Sequence, residues 1–211
     1  TEHLCFGCNC EERMTDFASR TVQFAWFVND TSKLKAAELF KALTGEEADT
    51  VNQNRVPSPA APYLSSSKRT QGSTTTTLNV SPGRVDVFVQ ADQTPDLAHS
   101  GLVTINAKET LLQYMNLIQN AAEFDFSGVY RVAVVCNLID TFDQYGEAKA
   151  AFFKRIGMKI IDGDVSDLAF QVNKRFNYDQ VGLSINRLFS MNIEHFQQVQ
   201  VLGGALPMSF L

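Results

Sequence analysis

Histidine, tryptophan and proline are scarce in this sequence: three, one and six of 211 residues. The three histidines, His3, His99 and His195, stand in no recognisable nucleophile motif. Each reads more plainly as a surface or hydrogen-bonded residue, although a general base needs no sequence neighbour. Long apolar runs are missing too: no stretch approaches the roughly 20 apolar residues of a membrane span. No charged start leads into the short apolar run of a secretory signal. The expected location is therefore cytoplasmic, with no membrane partner. Gly203-Gly204 stands alone and Ser81-Pro82-Gly83-Arg84 reads as a turn, so no glycine pattern cradles a phosphate.

Positive charge is short as well, with 18 Lys and Arg against 23 Asp and Glu, for a net charge of −5. Broad phosphate binding needs a concentrated basic surface, which argues against a nucleic-acid partner. One local exception is Lys174 and Arg175 with Arg187, which a hairpin could gather; a solvated hairpin face is the plainer reading.

What the chain does have is apolar content, 45% of residues, with 16 phenylalanines. At this length a single domain can bury a sizeable core without disulfides or metals. Val22, Phe24, Trp26 and Val28 alternate with Gln23, Ala25 and Phe27, the period of a half-buried strand. Asp30 or Thr31 can cap the helix that follows, with Leu34, Ala36, Leu39, Phe40 and Leu43 as its stripe and Gly45 as its stop.

Residues 49–72 hold Pro57, Pro59, Pro62 and Ser65 to Ser67 with almost no apolar period, so a flexible Pro/Ser-rich loop is expected there. The runs 73–80 and 84–90 read as a hairpin around Ser81-Pro82-Gly83, with Val85, Val87 and Val89 inward and Arg84, Asp86 and Gln90 outward. Asn106 and Glu109 form a capping box for a second helix striped by Leu111, Met115, Ile118 and Ala122. Tyr130 to Ile139, apolar on both sides, predicts a central strand. A third helix over 147–156, stopped by Gly157, precedes a second hairpin built from Leu168, Phe170 and Val172 and from Val181, Leu183 and Ile185.

The expected fold is α+β: an antiparallel sheet with helices packed on one face. Its first part runs β-α-β-β-α-β, the ferredoxin-like order, and is followed by α-β-β. Residues 1–20 form a Cys-containing N-terminal segment, 21–201 a single domain and 202–211 an apolar tail.

Three sets of residues could carry chemistry. His3, Cys5, Cys8 and Cys10 place four soft ligands within eight residues, a set that suits zinc. No second ligand pair follows, and Cys136 stands alone in an apolar strand. Asp162, Asp164 and Asp167, with Asp140 and Asp143 earlier, offer oxygen ligands for Mg²⁺. Turn chemistry is the plainer reading of the first three, and helix capping explains at least one of Asp140 and Asp143 equally well.

The reading that follows is a non-enzymatic protein-binding module that uses a sheet edge, the 49–72 loop and the apolar tail. It would be an oligomer or a subunit of a larger cytosolic assembly, with another protein or itself as partner. The alternatives are a metal-dependent hydrolase built on the Asp cluster and a thiol-based metal or redox sensor.

Overall fold

The fold is described from a computed structural model, over residues 18–92, 103–120, 128–159, 168–178 and 183–193. The chain forms two compact units, Thr1–Asp140 and Thr141–Leu211. It is a mixed α+β protein. Every strand pairing among the described residues is antiparallel. No helix among those residues is long and apolar enough to cross a membrane.

The first unit is a sheet centred on β1 (Ala18–Val28). On one side, β1 pairs with β5 (Arg84–Ala91), which continues through β4 (Thr74–Ser81), β3 (Ser65–Gln71) and β2 (Thr50–Gln53). On the other side it pairs with β7 (Val129–Leu138), while the two-residue β6 (Ile105–Asn106) meets Ala18 and Ser19 at one end. Alternation along β1 sends Val22, Phe24, Trp26 and Val28 into the core with Leu78, Val80, Val85, Val87 and Val89.

Two helices cover that face. α1 (Ala36–Thr44) packs on β3 and β4 through Ala36, Phe40 and Leu43, and Gly45 ends it at φ 75°. This left-handed conformation is one glycine adopts without steric cost. The residues expected to cap α1 act elsewhere. The Thr31 hydroxyl donates to the Ser81 carbonyl (2.9 Å) and accepts from the Gly83 amide (3.2 Å), fastening the Pro82-Gly83 turn to the end of β1. The amide of Ala36 instead donates to Ser65 Oγ on β3, 3.0 Å away.

α2 (Ala107–Asn120) packs on β1. Asn106 Oδ1 accepts from the Lys108 and Glu109 amides at 3.1 and 3.2 Å, so this expected cap is present. Of the expected stripe, Leu111 and Ile118 pack partly buried against the core beside the fully inward Ala107, Thr110 and Tyr114, while Met115 is about half exposed at 49%. Ala122 lies outside the described residues.

Two expectations change in this unit. The 49–72 segment carries β2 and β3, because the Ser65–Gln71 run pairs in register with Thr74 to Val80 of β4. Its small Ser65 and Ser67 side chains let α1 approach the sheet. β7, expected to be central, pairs with β1 alone among the described residues.

The second unit contains α3 (Tyr145–Ile156), closed by Gly157 at φ 69°, and the hairpin of β8 (Ala169–Tyr178) and β9 (Leu183–Asn192). Phe152 and Phe153 of α3 are buried, with their rings edge to face at 5.8 Å. The second hairpin strand ends at Asn192, and its extension toward Val201 lies outside the described residues.

Candidate functional site

A groove of about 490 Å³ opens over the sheet between residues of α1 and α2. Its floor follows from the phase of β4. Leu78 and Val80 face the helices and are fully buried, but the same side of the strand continues as Thr76 and Thr74. The core therefore ends in hydroxyls beneath the groove.

Thr76 Oγ1 and the Tyr114 hydroxyl share a hydrogen bond of 2.6 Å, and the Tyr114 ring stacks on Phe24 at 5.7 Å. Burial pushes the Tyr114 phenol above its ordinary value, partly countered by the Thr76 bond, so it stays protonated at neutral pH. Phe40, Val89, Ile105 and Leu117 give the groove its apolar part. The charge of Arg69 at its rim is taken up by Glu46 Oε2 at 3.0 Å and the Glu47 carbonyl at 3.0 Å. The groove thus offers hydrogen bonds and apolar contact.

The opposite face of the sheet has a polar centre. Asp86 is only 6% exposed, and its Oδ1 accepts from Gln23 Nε2 (2.8 Å), Arg84 Nε (2.9 Å) and Arg84 Nη2 (2.7 Å). Expected to point outward, it does face away from the helices, but its neighbours cover and satisfy it. Beside it, the guanidinium groups of Arg84 and Arg131 lie 5.1 and 4.8 Å from the centre of the Phe27 ring. A smaller recess of about 240 Å³ lies between Arg20, Lys68, Gln90 and Asp92.

The third feature is β7 itself. Val132, Val134 and Val135 are all more than half exposed, and they project from both faces of the strand. Cys136, a free thiol, is partly covered against the core, and burial raises its pKa. The strand is tied to β1 by the Ser19 hydroxyl, which donates to the Asn137 carbonyl at 2.8 Å.

The residues singled out from sequence are distributed as follows. Asp140 follows β7 in the first unit, and Asp143 precedes α3 in the second. Asp162, Asp164 and Asp167 lie outside the described residues, as do His3, Cys5, Cys8, Cys10, His99, His195 and the 202–211 tail. Among the described residues, no three His, Cys, Asp or Glu side chains are grouped closely enough to hold a metal ion. The hairpin sets Lys174 directly opposite Arg187 and Arg175 opposite Asn186. Lys174 Nζ rests 4.9 Å from the centre of the Phe176 ring.

The Thr76–Tyr114 pair was not among the residues selected from sequence. The signal for it was available: Thr74 and Thr76 are in phase with Leu78 and Val80. Comparison with family models, with curated proteins and with solved structures gives no match to this chain.

Proposed function

We propose that this chain is a non-enzymatic protein-binding module that associates with a second polypeptide by adding a strand to the open edge of β7. The first such polypeptide to consider is a second copy of itself. The observation that carries the reading is the edge: nine of the ten residues of β7 pair with β1 on one side, and among the described residues no strand pairs with the other. Unpaired N–H and C=O groups along an apolar strand form a template for another strand. The sequence of β7 suits self-pairing, since Arg131 is its only charge. An antiparallel pair centred on Val134 sets Arg131 opposite Asn137 of the second copy, which avoids like charges face to face.

The ferredoxin-like reading belongs to this proposal, with β1, α1, β4, β5, α2 and β7 as its six elements. It is supported by the neighbour order β4-β5-β1-β7 and by the antiparallel sense of each pairing.

Sedimentation and amide hydrogen exchange of the full chain across a protein dilution series test the reading. The expected result is a concentration-dependent dimer in which β7 amides exchange more slowly as dimer forms. The double substitution Val132→Lys and Val134→Lys should abolish the dimer and leave β4 and β5 protected. A monomer at every concentration, with β7 exchange unchanged, overturns it.

A further inference from the structure

We propose that the groove between α1 and α2 is a binding site for a small, neutral, polyhydroxylated ligand of the monosaccharide class. Its volume of about 490 Å³ falls within the range of small-molecule sites. The chemistry of its lining selects the class. A hydroxyl both donates and accepts, and the Thr76–Tyr114 bond uses one of the two available protons. The pair therefore keeps a donor and lone pairs for a ligand whose own hydroxyls also do both. Thr110, buried on the same face of α2, and the exposed Gln113 amide extend this set along the helix.

Charge argues against an anion. Arg69 is held by Glu46 and by the Glu47 carbonyl, so an anion would have to displace a carboxylate from it. Glu109 at the mouth adds a further negative charge. Leu117, partly exposed above the buried Phe40 and Ile105, supplies apolar surface for the C–H face of a sugar ring. Thr74 and Thr76 are partly exposed continuations of the buried Leu78 and Val80 side of β4, and they put hydroxyls on the floor of the groove.

Saturation-transfer NMR on the full chain tests this with four probes: glucose, N-acetylglucosamine, the amine glucosamine and the acid glucuronate. Glucose or N-acetylglucosamine should show saturable transfer in the millimolar range, ahead of both charged sugars. Tyr114→Phe keeps the ring packed on Phe24 while deleting the hydroxyl, and should weaken binding by about fivefold, the worth of one neutral hydrogen bond. Gln113→Ala changes an exposed position, which guards against a folding artefact, and should weaken binding to a similar extent. Methyl β-glucoside, blocked at its anomeric oxygen, separates two sources of the ligand: equal binding assigns the end of a glycan, and weaker binding assigns a free sugar. The proposal is overturned if neither neutral sugar binds, if a charged one binds more tightly, or if binding is the same in both variants as in the native protein.

Discussion

β5 and β7 flank the same strand, and β1 presents each of them with the same residues. Phe24 stands opposite Val87 on one side and Val134 on the other, Trp26 opposite Val85 and Val132, and Phe27 opposite Arg84 and Arg131. Yet Val87 is 0% exposed and Val134 is 52% exposed. The two valines have the same chemistry, the same conformation and the same cross-strand partner. What separates them is the next layer: β5 has β4 beyond it and packs in the core beneath the helices, whereas β7 has no further strand among the described residues. An apolar alternation thus specifies a strand, and burial is completed by what lies on the far side of it.

Substituting the matched valines is the most direct way to break this comparison. Val87→Ala removes buried methyl groups and leaves a cavity between Phe24 and Leu78, and it should cost about 2.5 kcal/mol. Chemical denaturation measures this through the midpoint at constant slope. A cost below about 1 kcal/mol would mean that the β5 side is far less tightly packed than its burial indicates.

A second substitution sharpens the contrast on the other face of the sheet, where Ala25 stands opposite Asp86 of β5 and Ala133 of β7. Asp86→Ala strips three hydrogen bonds from Gln23 and Arg84. Because the Arg84 side chain is 39% exposed, water can take back part of what is lost. The expected cost is about 1.5 kcal/mol, below that of Val87→Ala, with Ala133→Ser near neutral in the same assay. Equal costs at 86 and 133 would remove the asymmetry of the outer face.

Local chemistry was legible in the sequence and neighbour relations were not. Gly45, Gly157, the Pro82-Gly83 turn and the Asn106 cap are settled within a few residues of chain, and each stands where spacing placed it. β3 was not legible: Ser-Ser-Ser-Lys-Arg-Thr-Gln has no apolar period, and its strand exists through pairing with β4 and the Ser65 bond to α1. The edge position of β7 was hidden for the opposite reason. Its valines on both sides match a central strand, and no period within one strand reports how many strands pair with it. Of the candidate site, the threonines of β4 were visible as a strand, while their meeting with Tyr114 depends on how α2 lies across the sheet.

The smallest expected effect carries the most information about the edge. Val134→Ala changes the same atoms as Val87→Ala against the same Phe24, but from a half-exposed position, so at low protein concentration it should alter stability by no more than about 0.5 kcal/mol. If a second chain pairs with β7, that position becomes covered and its cost should rise with protein concentration toward the cost at Val87, because association stabilises only the paired state. Val87→Ala, already enclosed, should show no such dependence beyond that of the native protein. Denaturation of both variants across a dilution series therefore separates a strand that is open from one that is waiting for a partner. A concentration-independent cost at both positions leaves β7 as a plain solvent edge, and a large cost at Val134 even in dilute protein means that the chain itself covers it.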